Sequence, residues 1–474
     1  MTKMYVGSRL RRLRQNHGLN QAELAERLDL SASYLNQLER GKRPLTVAVL
    51  LRVTEEFGVD ADFFAAKDSA KLVADVRLAL REGLPDKDIS DADIADLTTQ
   101  LPDIASALVT LHRRQRDAVD QTAALLAGKD VDSAPVLSPQ PHEEVRDFFY
   151  ARHNYVAELD EAAEAEADAL ELEPHSTRDR LIEVLAHRHG IRTVIVDDDA
   201  IQHRLEPRQR ILYLAARLTP GQQSFRVATQ LALLEHRGLI DSLTAGAGFE
   251  GEDSAQLARI GLANYFAGAL VLPYRQIRAR AEKYRYDVEQ LAQHFGVGFE
   301  TVCHRLSTLQ RPRERGVPFS FVRVDRAGNI SKRQSATDFH FSRSGGSCPL
   351  WSVYEAFTQP NRVLVQMARM PDERRYLWVA KTVSYRHGGF RQPDKEFAIG
   401  LGCEIRHANR LVYSKGLDLH DADGATPIGM GCKICERTAC PQRAFPPVGR
   451  QLRIDERSTT FVPYPVVRGP RGHG

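Results

Sequence analysis

The chain has 474 residues, of which 42% are hydrophobic and 27% are charged, and this length predicts about three domains with buried cores. It has no run of eighteen apolar residues, no signal-peptide pattern and only six cysteines. These features argue against a membrane protein or a disulfide scaffold and predict a cytoplasmic location. The net charge is only +3, yet residues 1–52 carry ten Lys or Arg against four Asp or Glu. This local excess predicts an anionic partner at the N-terminus.

Residues 6–60 place apolar side chains at helical spacing between short polar turns. Asn20 is positioned to cap a helix that begins QAELAERL, with Glu23 completing a capping box. Ser31 is positioned to cap the next helix, SASYLNQLER, which is expected to end at Gly41. Two short helices joined by a tight turn predict a helix-turn-helix (HTH). The segment resembles the lambda-repressor-like (Xre-type) DNA-binding domain, an all-α fold, in its LAERL, SYLNQLERGKR and LLRV segments.

The resemblance assigns roles along the second helix, because the first turns of that helix enter the major groove in such domains. Amide side chains in the groove can form paired hydrogen bonds with adenine. Cations and amides outside the groove bind phosphates and fix the position of the protein along the DNA. Base contacts are expected from Ala32, Ser33, Asn36 and Gln37, with Ser31 beside them, and phosphate contacts from Gln21, Arg40, Lys42 and Arg43. Glu39 is expected to pair inside the motif, because phosphate repels a carboxylate.

Residues 67–140 predict a helical connector. Six apolar residues in it follow the 3-4-3-4-3 spacing of a heptad seam, namely Ile94, Leu97, Leu101, Ile104, Leu108 and Leu111. Pro102 interrupts this seam and predicts that a new helix starts there. The apolar stripe suits either the pairing of two chains or packing on its own chain. Residues 131–141, VDSAPVLSPQP, predict a linker because they are rich in Pro and Ser.

A second domain is expected from about His142, over residues 141–311. It opens with an acidic amphipathic helix pattern, EEVRDFFYARHNYVAELDEAAEAEADALELEP, followed by a short strand, RTVIVDDD. Three further segments follow, FRVATQLALLEHRGLI, LANYFAGALVLPYRQI and VEQLAQHFGVGFETVCHRLSTL. The succession resembles the mostly helical IrrE/ImmA metallopeptidase-like domain, whose active members carry an H-E-x-x-H zinc motif on the first of these three helices.

The zinc motif is missing from this chain. The register set by Phe225 places it on residues 229–233, where the sequence reads TQLAL, and the acidic third ligand expected shortly before Asn264 is absent. Without two imidazoles on one helical face, zinc has no site and no water is activated. We therefore expect neither zinc nor proteolysis, and predict a sensing or scaffold role for this fold. Glu235 and His236 lie nearby at the wrong spacing and are expected at a solvated helix end.

Residues 312–474 predict strands. VPFSFVRVDRAGNISKRQ indicates a hairpin with a Gly-Asn turn, and RVLVQMARM and RRYLWVAKTVSY alternate apolar and polar residues around a PDE turn. FAIGLGCEI follows them. An α+β domain with antiparallel strands is therefore expected at the C-terminus.

Three of the six cysteines, Cys432, Cys435 and Cys440, form a C-x2-C-x4-C cluster. Two thiols separated by two residues can bind one metal centre, so this spacing predicts a metal or redox site. Cys403 is preferred as the fourth ligand because it follows a glycine and an apolar strand, and Cys348 is the alternative. Four thiolates suit either tetrahedral zinc or a cubane [4Fe-4S] cluster, and their spacing does not separate the two.

Three C-terminal segments, GGSCPLWSVYEAF, IGLGCEI and TPIGMGCKICERTACPQRAFPP, resemble the C-terminal domain of the short-chain fatty acyl transcriptional regulators. Together with the HTH and the degenerate peptidase-like domain, the resemblance covers essentially the whole chain. It implies a multidomain α+β protein whose four parts are residues 1–66, 67–140, 141–311 and 312–474.

The resemblance implies a sequence-specific transcriptional regulator, expected to be a repressor, of acetate, propionate and fatty-acid-derived carbon use such as the glyoxylate and methylcitrate routes. It also implies an acyl-CoA effector and favours a [4Fe-4S] cluster over zinc. We expect a homodimer on a double-stranded DNA operator, because a single HTH makes too few contacts for strong selectivity. The alternatives are an iron-sulfur redox-sensing regulator without a small-molecule ligand, and a metallopeptidase, against which the missing ligands argue.

Overall fold

The computed structural model shows a multidomain α+β protein, as expected from the sequence. The residues that it describes are 10–11, 13–14, 19–39, 43, 45–57, 67–84, 89–126, 141–198, 200–336, 348–385, 390–391, 394–429, 431–432, 435–447 and 451–467. The chain divides into two compact units, residues 1–132 and residues 133–474. The finer division into four domains stays a prediction.

The first unit is helical in its described regular structure. Its helices are α1 (Gln21–Arg27), α2 (Ala32–Glu39), α3 (Val47–Phe57), α4 (Lys67–Gly83), α5 (Asp91–Gln100) and α6 (Pro102–Leu126). The Asn20 side chain accepts hydrogen bonds from the backbone N–H groups of Ala22 at 2.9 Å and Glu23 at 3.0 Å. The Glu23 carboxylate in turn accepts one from the Asn20 backbone at 2.7 Å. The predicted capping box of α1 is therefore confirmed.

Two small apolar cores stabilise this unit. Leu24 of α1 and Leu35 of α2 are fully buried in the HTH core. Ile94 of α5 and Ala105 of α6 are buried in a second core formed by α4, α5 and α6. The start of α6 at Pro102 confirms that a new helix begins at this proline.

The predicted heptad seam is divided between the inside and the outside of this unit. The seam residues that pack in the unit's own core are Ile94, Leu97 and Leu108. The seam residues that stay exposed, called here the exposed stripe, are Leu101, Ile104 and Leu111. Half of the seam thus packs on its own chain. Of the two predicted alternatives, packing on the same chain therefore accounts for these three residues.

The second unit begins with a succession of helices. They are α7 (Pro141–Ala151), α8 (Ala157–Ala169), α9 (Thr177–His189), α10 (Pro220–Glu235), α11 (Arg237–Ala245), α12 (Glu252–Val271), α13 (Tyr274–Lys283), α14 (Val288–Phe295) and α15 (Phe299–Leu306), with a short α16 (Ser352–Glu355) further on. The acidic pattern at the start forms two helices, α7 and α8, and not one. Between them His153 and Asn154 have φ angles of 50° and 59°, which a continuous right-handed helix excludes.

Among the described residues, no single helix is long and apolar enough to cross a membrane, and only the bent pair α12 and α13, with 58° between its members, meets that test by length and composition.

A small sheet lies between α9 and α10. Its strands are β1 (Arg192–Val196), β2 (His203–Glu206) and β3 (Ile211–Ala215). The order is β1-β3-β2, with β1 parallel and β2 antiparallel to β3. The strand predicted from RTVIV is confirmed as β1. Strands β2 and β3 were not predicted, and the sequence of β2, HRLE, is short and mostly charged.

A six-stranded sheet forms the C-terminal part. Its strands are β4 (Ser320–Val324), β5 (Ile330–Ser335), β6 (Leu364–Arg369), β7 (Arg375–Tyr385), β8 (Lys395–Glu404) and β9 (Thr426–Pro427), in the order β5-β4-β8-β7-β6-β9. Both predicted hairpins are confirmed, as β4–β5 and β6–β7, and only β9 pairs in parallel. Gly328, in the first hairpin turn, has a φ of 86°, which glycine adopts without steric cost.

The two faces of this sheet bury different residues, because successive side chains of a strand point to opposite faces. On one face Leu377 and Cys403, which pair across β7 and β8, join the core of the helices. On the other face Trp378 of β7 packs in a separate core together with Cys348 and Ile428. We call these the helical face and the loop face.

Candidate functional site

Helix α2 presents its N-terminal turn to solvent. Ser31 accepts a hydrogen bond from the backbone N–H of Tyr34 at 3.1 Å, which confirms Ser31 as the N-cap. The small residues of this turn are exposed and two amides one turn on are half-buried, namely Ser31, Ala32, Ser33, Asn36 and Gln37. Within the described residues, the side chains of Asn36 and Gln37 have no hydrogen-bond partner. Unengaged amides at this position are suited to reading adenine in the major groove.

Glu39, at the end of α2, is only 4% exposed. Its carboxylate accepts hydrogen bonds from the Arg14 guanidinium at 2.7 Å and from the Gln21 amide at 2.9 Å. The predicted internal role of Glu39 is therefore confirmed. The phosphate contact expected of Gln21 stays a prediction, and it would have to use the second N–H of an amide that already bonds to Glu39.

The structure describes only one of the three cations expected to follow α2. Arg40 and Lys42 lie outside the described residues. The Arg43 guanidinium lies 5.6 Å from the centroid of the Tyr34 ring. This cation–π contact keeps a positive charge next to the recognition helix, where a phosphate contact is expected of it.

Helix α10 carries the positions of the lost zinc motif. The Thr229 hydroxyl lies 2.8 Å from the carbonyl oxygen of Phe225 and 3.3 Å from the side-chain oxygen of Asn264 on α12. The Gln230 side-chain nitrogen lies 2.9 Å from Nε2 of His203 on β2. The polar side chains at these positions thus connect α10 to α12 and β2, and residues 229–233 offer no pair of imidazoles on one helical face.

One group of side chains in this domain has metal-ligand character. Glu166, Glu235 and His236 place carboxylate and imidazole atoms within 4.8 Å of one another. Arg188 lies 2.6 Å from Glu166 and 3.0 Å from Glu235, and His189 lies 2.7 Å from Glu235. Glu235 and His236 are therefore half-buried members of an ion cluster, and not the solvated helix end that was expected. The guanidinium already stands where a bound cation would neutralise the two carboxylates.

The cysteine loop, residues 428–445, brings thiols together around Gly429. The backbone N–H of Gly429 is directed toward Cys348 and lowers the pKa of its thiol. The Cys435 sulfur lies 2.6 Å from the point that a β-carbon at Gly429 would occupy, so a larger residue would displace this thiol. Cys432 and Cys435 are close enough to Cys348 for their charges to act on its thiol.

The pKa of the Cys348 thiol depends on its burial and on the groups around it. Burial raises the pKa of the Cys348 thiol, the N–H groups of Leu350 and Gly429 lower it, and the neighbouring charges of Cys435 and Cys432 raise it. A metal would relieve the repulsion among these thiolates, because it replaces their protons with a shared positive charge.

Arg443 organises the same loop from within. It is only 4% exposed, and its terminal N–H groups donate to the backbone carbonyl oxygens of Cys432 at 2.6 Å, Cys435 at 2.9 Å and Arg437 at 2.5 Å. No carboxylate pairs with it among the described residues, and its Nε–H has no hydrogen-bond partner there. Burial raises the pKa of the Cys435 thiol, while the Arg437 N–H and the charges of Arg443 and, to a smaller extent, Arg437 lower it.

Cys403 and Cys348 pack on different faces of the sheet, which argues against the preference for Cys403 as the fourth ligand. Cys403 is fully buried on the helical face of the sheet, opposite Leu377, whereas Cys348 lies on the loop face. The preference was based on local sequence and did not take into account which face of the sheet each cysteine occupies. The structure brings Cys348 to Cys432 and Cys435, and the charge of Cys440 also acts on Cys435.

Two residues of the cysteine loop were missed by sequence reasoning. Gly429 is one of two glycines in IGMGC, a pattern that indicates a close backbone approach without showing which group approaches. Arg443 gave no signal, because most arginines are exposed and sequence does not distinguish a buried one.

The HTH geometry defines the class of protein as a DNA-binding regulator. Models of known families match three consecutive parts of the chain. They are a helix-turn-helix at residues 10–64, an IrrE N-terminal-like domain at residues 186–307, and the C-terminal domain of short-chain fatty acyl coenzyme A regulators at residues 308–464.

Similar proteins cover the whole chain. The HTH-type transcriptional regulator RamB of Mycobacterium tuberculosis is 53% identical over 469 residues, which are 98% of this chain and 99% of that protein. PrpR of the same organism is 49% identical, over 98% of this chain and 96% of its own. The propionyl-CoA carboxylase regulator of Cereibacter sphaeroides is 43% identical, over 98% and 99%.

A solved structure of a Mycobacterium tuberculosis transcriptional regulator covers 69% of this chain and 100% of its own, with a TM-score of 0.67 and 53% sequence identity. The chain belongs to this family of HTH-type transcriptional regulators, and the resemblance inferred from its sequence is confirmed.

Proposed function

We propose that the protein is a sequence-specific repressor of genes for acetate, propionate and fatty-acid-derived carbon use, such as those of the glyoxylate cycle. The observation that carries operator reading is the geometry of α2, where Asn36 and Gln37 have no partner among the described residues. The matched C-terminal family and a relative named propionyl-CoA carboxylase regulator support the pathway.

Sequencing of the DNA that co-precipitates with the protein, combined with transcript measurements after deletion of its gene, tests this proposal. We expect bound sites upstream of genes for acetate and propionate use, and we expect those transcripts to rise on deletion. Binding confined to unrelated genes would contradict the pathway. Falling transcripts at bound genes would contradict repression.

An acyl-CoA thioester is the proposed effector, on the grounds of the same family description. The degenerate peptidase-like domain suits a sensing role, because its fold persists while residues 229–233 lack the catalytic side chains. Acetyl-CoA, propionyl-CoA and free CoA should be titrated separately into the full-length protein on its operator. We expect one thioester to change DNA affinity by roughly tenfold. If none does but reduction or oxidation of the protein does, the redox-sensing regulator without a small-molecule ligand replaces this proposal.

A [4Fe-4S] cluster is proposed as the cofactor, held by Cys348, Cys432, Cys435 and Cys440. The donor set fits, because the charges of Cys432 and Cys435 act on Cys348, the charge of Cys440 acts on Cys435, and the buried guanidinium of Arg443 offsets negative charge. When bound, the cluster supplies one-electron redox chemistry.

The spacing of the sulfurs supports the cluster over zinc. Among the described residues, no three cysteine sulfurs lie within 4.8 Å of one another. Tetrahedral zinc, with bonds of about 2.3 Å, holds its sulfurs about 3.8 Å apart. A cubane binds each thiolate through a different iron and therefore accepts a wider spacing. Anaerobic purification is expected to give a brown protein that contains iron and sulfide, and a colourless protein with one tightly bound zinc would contradict the cluster.

A homodimer is proposed as the form that binds double-stranded operator DNA, paired through the exposed stripe of Leu101, Ile104 and Leu111. These apolar side chains are between 50% and 62% exposed, and exposed apolar surface of this kind favours a partner. A cytoplasmic location is proposed, because both an operator and a cluster held by reduced thiols require it.

A further inference from the structure

Arg443 carries a buried positive charge whose neutralising partner is not a carboxylate. Removing a charge from water is costly, so buried guanidinium groups are normally paired with an anion. Among the described residues Arg443 bonds only to neutral backbone carbonyls. The groups beside it along the loop that can become anionic are the thiols of Cys432 and Cys435, whose own carbonyls it binds, and the carboxyl of Glu436, which lies between two of its acceptors, Cys435 and Arg437.

The same guanidinium fixes the shape of the C-x2-C segment. Its two terminal nitrogens reach the carbonyls of both Cys432 and Cys435, so one planar group sets the separation of the two backbones that carry the thiols. Ala444, the next residue, donates its backbone N–H to the Cys432 sulfur at 3.4 Å. The loop is therefore shaped around the thiols by contacts that involve no metal.

The Nε–H of Arg443 is the part of the guanidinium without an acceptor among the described residues. It is buried, and a buried donor without an acceptor is destabilising. A sulfur atom of a bound metal-thiolate centre is the acceptor that would satisfy it, since such centres accept N–H donors from the shell around their ligands.

We propose that Arg443 is a positioning residue of the thiolate centre, which clamps the C-x2-C segment and serves as its permanent counter-cation. The inference rests on the proposed cluster at the four cysteines. A fixed positive charge and an N–H donor both favour the more negative, reduced state of a cluster. Arg443 therefore raises the reduction potential and slows the release of metal.

The test uses full-length protein loaded anaerobically with iron and sulfide, in the variants Arg443→Gln and Arg443→Lys. Arg437→Gln is the matched control, because Arg437 lies in the same loop but binds the carbonyls of Ile428 at 3.1 Å and Arg369 at 2.7 Å. The measurements are the midpoint potential and the rate of iron transfer to a chelator.

We expect Arg443→Gln to lower the equilibrium constant for reduction by about tenfold, equal to about 59 mV for one electron, and to release iron faster than wild type. Arg443→Lys keeps the charge but cannot bridge several carbonyls. It is therefore expected to hold a potential near that of wild type while still releasing iron faster. Arg437→Gln is expected to change both quantities less than Arg443→Gln.

A wild-type potential and release rate in Arg443→Gln would overturn the inference, as would equal effects in Arg437→Gln. If the wild-type protein holds zinc, the cluster proposal fails separately, and the rate of zinc transfer to a chelator decides the role of Arg443. An unchanged rate in Arg443→Gln would then overturn it. If Arg443→Gln does not fold, the release rate of Arg443→Lys decides between the same outcomes.

Discussion

Two arginines of the second unit are buried to a similar degree, Arg305 at 2% and Arg443 at 4% exposure, and they differ in what neutralises them. Arg305 donates two hydrogen bonds to the Asp160 carboxylate, at 2.6 Å and 3.1 Å. Arg443 meets only backbone carbonyls among the described residues. A buried charge that pairs with an opposite charge of the same chain stabilises the fold. A buried charge without such a counter-charge indicates a site where an anionic group binds.

The same contrast appears within the recognition helix α2. Glu39 is buried and has internal partners in Arg14 and Gln21, so it belongs to the fold of the HTH. Asn36 and Gln37 have no such partners among the described residues, although their amides carry strong donors and acceptors. The presence or absence of hydrogen-bond partners within the described chain thus distinguishes the structural residues of this helix from those available to DNA.

Removing the internal partner of Arg305 is expected to have the largest effect. Asp160→Ala leaves a buried guanidinium unpaired and removes the acceptor of the Tyr265 hydroxyl, at 2.7 Å. We expect the free energy of unfolding of the second unit to fall by about 3 to 5 kcal/mol. Urea unfolding of the full-length protein measures it. Glu183→Ala, which removes an exposed ion pair with Arg180, is the control and should cost less than about 1 kcal/mol. Equal losses in the two variants would remove the distinction between these sites.

Serine substitution at two of the three buried cysteines, Cys348 and Cys403, tests the contrast between the faces of the sheet. Cys348→Ser, on the loop face, should abolish the cluster. Cys403→Ser should keep the cluster but lower the free energy of unfolding by about 1 to 3 kcal/mol, because it buries a hydroxyl in an apolar site. Iron content and urea unfolding of both variants measure these effects. Loss of the cluster in Cys403→Ser alone would restore Cys403 as the fourth ligand.

Local signals made the HTH predictable from the sequence, whereas the fourth cysteine was not. Asn20 and Ser31 cap helices through contacts within three residues, so their roles depend only on neighbouring sequence. Whether Cys348 or Cys403 reaches the cysteine loop depends on which face of the sheet the chain returns to after β9. That choice is set by tertiary packing, and the glycine beside Cys403 carries no information about it.

Substitution of the amides of α2 tests whether side chains without internal partners read DNA bases. Asn36→Ala and Gln37→Ala should each weaken binding to the cognate operator by about 1 to 3 kcal/mol and barely change binding to random DNA. Arg43→Ala is the control and should weaken both, with a smaller dependence on salt, because it removes a phosphate contact. Titrations of both DNAs at several salt concentrations measure this. Equal losses on the two DNAs for Asn36→Ala would exclude it from base reading.

The exposed stripe, which includes Ile104 and Leu111 of α6, carries the smallest expected effect, because single residues at an interface seldom dominate its affinity. Leu111 is 62% exposed although its seam neighbour Leu108 packs in the core of the unit. If the stripe pairs two chains, Leu111→Glu places two carboxylates in an apolar contact and should weaken the dimer by about 1 kcal/mol or more. Ser106→Glu, on the opposite side of the same helix and also exposed, adds the same charge outside the stripe and should have little effect. Sedimentation of both variants over a range of concentrations measures the dissociation constant of the dimer. If Leu111→Glu has the dimer dissociation constant of the wild type, the dimer contact lies on another surface. Operator affinity is then expected to be unchanged as well, because two half-sites are bound together only while the chains remain paired.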